Sequence, residues 1–131
     1  MVIGLDHIGM VVPDCDASLA FYMEHFGFSR GDRAIIPRDG GTATLQFAHL
    51  GSIVLEFVQP GAGCEKMQQP PIHFSLKVDD IYAEIKRLQS EGVKFEREDE
   101  IPLVGREPKY HNAFFVGPAG ERVELMMEDA E

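Results

Sequence analysis

Apolar and polar residues alternate through residues 72–78: Ile72, Phe74, Leu76 and Val78 share one face, and His73, Ser75 and Lys77 share the other. A period of two is the mark of a strand with one buried face. The same alternation sets Val123, Leu125 and Met127 against Arg122, Glu124 and Met126, and sets Ile53, Leu55 and Phe57 against Val54, Glu56 and Val58. Near the start, His7 lies opposite Ile8, Met10 and Val12 in a strand predicted over Val2 to Val12. Two stretches switch to helical spacing. Asp14 or Asp16 can cap a helix that places Leu19, Tyr22, Met23 and Phe26 on one face and stops at Gly27. The second runs from Asp80 to Glu91 with Ile81, Ile85 and Leu88 inward, ahead of Gly92.

The remaining pattern predicts three short strands between Arg33 and Val58, divided near Asp39-Gly40-Gly41 and His49-Leu50-Gly51, and further strands near 94–97, 110–116 and 121–127. Proline and glycine crowd the region that follows Phe57, which reads as a linker. Glu100 to Lys109 reads as a long irregular loop, the kind of segment that forms lids over sites.

Laid side by side, the two halves repeat. His7 through Asp14 and His73 through Asp80 each run as a strand into an acidic helix start. Leu50 through Phe57 and Ala119 through Met126 each lead from a turn glycine into a strand with a central glutamate. The expected fold is α+β, with two β-α-β-β-β modules whose curved sheets form a half-barrel around a cleft. One domain spans 1–131, with module one at 1–59, a linker at 60–71 and module two at 72–131.

Glu56 follows His7 by 49 residues and Glu124 follows His73 by 51. A single strand histidine is ordinarily a hydrogen-bonded core residue, and a single strand glutamate ordinarily faces water. Four of them, repeated in register and all on the face not needed for helix packing, argue instead for one shared site. Two imidazoles and two carboxylates suit a divalent ion: Ni, Co, Zn, Mn or Fe. His25 at a helix end and His111 after the irregular loop have weaker claims.

Charge narrows the partners. A net charge of −10 and a pI near 4.9 oppose nonspecific binding to nucleic acid or to an anionic membrane. With neither a transmembrane stretch nor a secretory signal, the expectation is a cytoplasmic protein. Cys15 and Cys64 are too few for a disulfide framework and are expected as thiols.

The phrases Leu5-Asp6-His7-Ile8-Gly9 with Phe21-Tyr22, Val54-Leu55-Glu56, His73 through Asp80, and Phe114 through Leu125 together resemble the vicinal oxygen chelate superfamily across nearly the whole chain. That superfamily includes glyoxalase I, methylmalonyl-CoA epimerase, extradiol dioxygenases and fosfomycin or bleomycin resistance proteins. The resemblance implies that His7, Glu56, His73 and Glu124 occupy the metal positions. It also implies a glyoxalase I-like (lactoylglutathione lyase-type) lyase or isomerase, working by proton abstraction next to a metal-bound carbonyl through an enediolate, with Glu56 or Glu124 as base. An epimerase resembling methylmalonyl-CoA epimerase is the nearest alternative. An extradiol-type Fe(II) dioxygenase using His7, His73 and Glu124 with Tyr110 and His111, and a metal-free drug- or metabolite-binding protein, are the others. Members pair as homodimers, so a homodimer is expected, with the site either within one chain or between two. Val11 stands where glutathione-type enzymes often carry arginine, which argues against glutathione as the thiol. Lys77, Gln46, Arg106 and Lys109 are the candidate substrate-binding residues, the three cations suiting an anionic small molecule.

Overall fold

The computed structural model describes residues 1–38, 40–64, 72–103, 105–117 and 122–129, with backbone only at 102, 103 and 106–108. The element order is β1 (Val2–Val11), α1 (Cys15–Phe26), β2 (Ser29–Arg38), β3 (Gly41–Leu50), β4 (Ile53–Pro60), β5 (Ile72–Val78), α2 (Ile81–Ser90), β6 (Phe95–Leu103), β7 (Arg106–Val116) and β8 (Arg122–Glu128). The strands form one sheet in the order β2-β3-β4-β1-β5-β8-β7-β6. This is the α+β half-barrel with two β-α-β-β-β units that the repeat implies.

The two units join along an antiparallel β1–β5 seam, while within each unit the first strand runs parallel to the last, β1 beside β4 and β5 beside β8. The free edges of the curled sheet approach each other where Arg38 of β2 reaches Asp99 of β6, 3.5 Å apart. The concave face therefore becomes a nearly closed interior.

Both helices start where the aspartates predict. The Asp14 carboxylate accepts from the backbone N–H groups of Asp16 and Ala17, and Asp80 accepts from Ala83. Each satisfies donors that a helix start otherwise leaves orphaned. Asp16 sits in the first turn of α1 instead of capping it. On α1, Cys15, Leu19 and Tyr22 pack with Phe28, Leu55 and Phe57. On α2, Ile81 and Ile85 pack with Val78, Ala113 and Leu125.

Three expectations need correction. Glu100 to Lys109 is not an irregular lid. β6 and β7 run through it as a hairpin, pairing Glu100 with His111, Ile101 with Tyr110 and Leu103 with Arg106. The segment carries two prolines, but Pro102 lies on β6, the edge strand, and Pro108 lies on the part of β7 before its pairing with β8 begins. Proline costs no ladder hydrogen bond in such places. Gly105, at φ +80°, makes the tight turn between them.

Second, Met23 and Phe26 do not share the buried face of α1; Phe26 is 57% exposed. The helix meets the sheet through the narrow stripe of Cys15, Leu19 and Tyr22. Third, the convex face of β5 is only partly covered. Val78 and Leu76 pack on α2, whereas Ile72 is 61% exposed and Phe74 is also open to solvent. Each helix covers the outer strands of its own unit and leaves the central seam bare. Cys15 and Cys64 are both buried free thiols.

Candidate metal centre

On the concave side the four repeated residues meet. The seam register sets Ser75 opposite His7 and Gly9 opposite His73. The parallel pairings then set Gly9 beside Glu56 and Ser75 beside Glu124. Small residues therefore lie across from each imidazole, on strands that run in opposite directions about the pseudo-two-fold of the duplication. The aromatic packing repeats as well. Phe47 is the cross-strand partner of Glu56 and packs edge-on against His7, with ring centroids 5.4 Å apart. Phe114 is the partner of Glu124 and packs edge-on against His73 at 5.7 Å. Duplication thus carries the histidine, its neighbouring glutamate and a supporting ring together.

His7 Nε2 and His73 Nε2 are 3.4 Å apart. Glu124 Oε1 lies 2.8 Å from His7 Nε2 and 3.7 Å from His73 Nε2, and Glu56 Oε1 lies 3.6 and 3.3 Å from the same two atoms. An ion with ligand bonds of about 2.1 Å places neighbouring donors about 3.0 Å apart at right angles and about 3.4 Å apart in a tetrahedron. The observed separations bracket those values, so the donor set fits a divalent ion. His7, His73 and Glu124 have donor atoms all within 4.8 Å of one another.

One buried atom sharpens the fit. Glu124 Oε1 has no properly directed hydrogen-bond donor despite its closeness to His7. An orphaned carboxylate oxygen in a dry interior is costly unless something else meets it.

Supporting groups hold two of the four clustered side chains. Asp6 Oδ1 is 2.8 Å from His7 Nδ1. A register shift in β1 between Leu5 and His7 leaves Asp6 out of the ladder, and irregularities of this kind re-aim side chains beside sites. The Asn112 amide donates to Glu124 Oε2 over 2.9 Å. A carboxylate behind a histidine and an amide behind a glutamate are characteristic outer partners of metal ligands.

Without an ion, the cluster holds protons. Burial pushes the His7 imidazole down, but Glu56, Glu124 and Asp6 together outweigh it and hold its pKa well above the ordinary histidine value. Burial likewise opposes charge on His73, yet the nearby Glu124 and Glu56 carboxylates raise it to about 9. For Glu124, burial alone would raise the pKa; the two histidines reverse that and leave it well below the usual carboxylate range.

A narrow cavity of about 20 Å³ opens beside His73, Glu56 and Glu124. Leu45, Val58 and Ile101 form its apolar side, and Asn112, Arg38, Arg97 and Arg122 its polar side. The three arginines were missed in the sequence. Arg122 carried a usable signal, since it shares a strand face with Glu124 two residues on. Arg38 and Arg97 carried none, because their approach depends on the curl that brings β2 to β6.

The other candidate residues go elsewhere. Gln46 is buried facing away from the cavity; it donates to Gly31 O and Phe47 O and accepts from Arg33 Nε. Lys77 lines a separate depression of about 350 Å³, with Asp6, His49 and Glu128. Lys109 pairs with Glu100 on the surface, 3.3 Å away. The Arg106 side chain lies outside the described residues. Of the other histidines, His111 points to the α2 side, where it meets Asp129 at 2.6 Å and Tyr82 at 3.3 Å. It therefore does not face the four ligands, and the acid–base pair of the dioxygenase alternative is not assembled. Tyr110 is on the concave side, packed on Phe47 and donating to Asp32.

The sequence model of the Glyoxalase/Bleomycin resistance protein/Dioxygenase superfamily matches residues 4–125, and the chain belongs to that superfamily. It is 31% identical over 126 residues to the uncharacterized protein YwbC of Bacillus subtilis (strain 168), covering 92% of this chain and 94% of that one. Among solved structures, it is similar to methylmalonyl-CoA epimerase from Mycobacterium tuberculosis, with 21% identity, a TM-score of 0.76 and coverage of 98% and 90% of the two chains. It is also similar to a Streptomyces coelicolor methylmalonyl-CoA epimerase in complex with 2-nitronate-propionyl-CoA, with 19% identity, a TM-score of 0.76 and coverage of 99% and 100%. Identities this low establish the shared fold. Among the described residues, no helix is long and apolar enough to cross a membrane.

Proposed function

We propose that the protein is a divalent-metal-dependent isomerase or lyase of the glyoxalase type, which moves a proton at a carbon beside a carbonyl group. The carrying observation is the unequal support of its two glutamates. Asn112 tethers Glu124, whereas among the described residues Glu56 touches only the histidine pair. His7, His73 and Glu124 would hold the ion, with Glu56 as the fourth ligand. When bound, the ion supplies positive charge beside the substrate's carbonyl oxygen and so makes the neighbouring C–H acidic.

Glu56, the less restrained carboxylate, accepts that proton at Oε1 and returns it to the adjacent carbon. Asp6 keeps His7 Nδ1 engaged, so that Nε2 faces the cluster. Leu45, Val58 and Ile101 exclude water from one side of the reacting centre.

Epimerisation is the second reading, favoured by the cavity arginines and by the activity named for the two solved epimerases. There the proton returns to the same carbon from the other face, with Glu124 as the second carboxylate at hand. Val11 in place of arginine continues to argue against glutathione as the thiol. The bare convex seam, where Leu5 is 57% and Ile72 61% exposed, supports a homodimer.

Solvent-deuterium exchange into hemithioacetals of methylglyoxal with several thiols, and into methylmalonyl-CoA, tests these readings by NMR. Glu56→Gln should keep metal and lose exchange, whereas Glu124→Gln should lose metal. A 2-hydroxyacyl thioester product identifies the glyoxalase-type reaction, and an inverted centre identifies the epimerase. Metal-independent exchange, or exchange unaffected in Glu56→Gln, would overturn the assignment.

A further inference from the structure

The duplication lets each half of the centre be compared with the other. Ser75 follows His73 by two residues, as Gly9 follows His7. Across the seam Gly9 faces His73 and Ser75 faces His7, while along the parallel pairings Gly9 lies beside Glu56 and Ser75 beside Glu124. The two are therefore counterparts. Further out, Leu45 precedes Phe47 by two residues and Asn112 precedes Phe114 by two, and those rings are the cross-strand partners of Glu56 and Glu124. Leu45 and Asn112 correspond in the same way.

The repeat keeps the four clustered side chains and changes their neighbours. Glu56 has Gly9 and Leu45 around it, neither of which offers a side-chain donor, whereas Glu124 has Ser75 and Asn112, both of which do. Asn112 already donates its amide to Glu124 Oε2. Ser75 is 0% exposed, and its hydroxyl has no hydrogen-bond partner among the described residues. A buried hydroxyl without a partner is costly. Smallness does not account for it, because alanine would leave the same room opposite His7 without that cost. On the adjacent strand, Glu124 Oε1 is likewise buried without a directed donor. One unused donor and one unused acceptor thus stand on residues paired in register.

We propose that Ser75 is a positioning residue of the metal centre, its hydroxyl donating to Glu124 Oε1 when that oxygen holds an ion, as Asn112 donates to Oε2. The inference rests on the proposed reading of the cluster as a metal site. A carboxylate oxygen has two lone pairs, so Oε1 can face the ion with one and Ser75 with the other. Rotation about the Ser75 Cα–Cβ bond turns the hydroxyl without moving the strand. With both oxygens held, Glu124 is fixed as a ligand. The carboxylate left free to take a proton is the one whose neighbours are glycine and leucine. Divergence between the two modules, and not the set of four, then decides which glutamate holds the ion and which moves the proton.

Co²⁺ is the probe, titrated against a competing chelator into wild-type, Ser75→Ala and Ser75→Thr protein, with the visible absorption band of the bound ion recorded and metal-free samples melted in parallel. Ser75→Ala should bind Co²⁺ at least tenfold more weakly, since losing such an outer partner costs about 10–100-fold. Its band should shift, and its metal-free melting temperature should hold or rise, because the variant loses an unpartnered hydroxyl. Ser75→Thr, which keeps the hydroxyl, should recover both affinity and band. A serine that only fills space gives unchanged affinity and band in Ser75→Ala, which overturns the proposal. A weaker Ser75→Ala whose metal-free melting temperature has also fallen overturns it too, as damage to the fold. Wild-type protein that takes up no Co²⁺ overturns the metal reading and this inference with it, whereas equal uptake by wild type and Ser75→Ala overturns this inference alone.

Discussion

The imidazole of His73 lies against the bare α-carbon of Gly9, where a β-carbon would come within 2.0 Å of ring atom Cε1. The two residues are direct partners across the β1–β5 seam. Gly9 is thus a space requirement of the site and not a turn.

Gly9→Ala should therefore injure the centre more than the fold. The methyl group must push the ring aside, and overpacking in a tight interior costs about 1–3 kcal/mol. Metal affinity should fall at least tenfold, checked by competitive chelator titration alongside a thermal melt. Wild-type affinity in the variant would show that the ring relocates freely.

Asp6→Ala and Asn112→Ala test the supporting groups. Loss of such partners typically weakens metal affinity by about 10–100-fold. Asp6 is partly exposed, so its removal should barely move the melting temperature while affinity drops. Removing Asn112, which is buried, should lower both.

The metal-free protein should show a characteristic pH dependence. His7 and His73 have pKa values raised above the ordinary 6.5, so their stabilisation is complete below 6.5 and disappears as pH rises through the folded values, about 9 for His73. Glu124 is depressed below its ordinary 4.5, so its contribution is present above 4.5 and is lost as the pH falls through the lower folded value. From these groups, denaturant stability should form a plateau between pH 4.5 and 6.5 and decline toward pH 9. Metal binding at pH 7 must displace protons from the histidines, which calorimetry in buffers of different ionisation enthalpy would register as proton release.

Leu19→Ala separates fold from site. Leu19 is buried on α1 against Phe57 and Leu55, on the convex side. Truncation there should cost about 2–5 kcal/mol of stability. Metal stoichiometry in the folded fraction, by elemental mass spectrometry at low temperature, should be unchanged.

Much of this architecture was legible because strand alternation reports facing locally. Once His73, Ser75 and Lys77 are opposed to Ile72, Phe74, Leu76 and Val78, the facing of the ligand strand follows. The misreadings arose where local signals meet a particular place in the sheet. Glu100 to Lys109 contains Pro102 and Pro108, and proline ordinarily breaks ladders, yet an edge strand and a stretch of β7 not yet paired with β8 accept it. Gln46 is expected in the cleft although nothing local fixes the register of its strand; the β3–β4 pairing puts its neighbour Phe47 on the concave side instead.

By itself, the sequence determined the elements, the duplication and the identity of the His7, Glu56, His73 and Glu124 set, all of which depend on periodicity and repetition along the chain. Only the tertiary structure decided that the four meet within one chain, that Gly9 makes room for His73, and that Arg38 and Arg97 join Arg122 beside one cavity. Those relationships depend on which strands become neighbours at the seam and on how far the sheet curls. Both are set by the packing of the whole, which no local window of sequence contains.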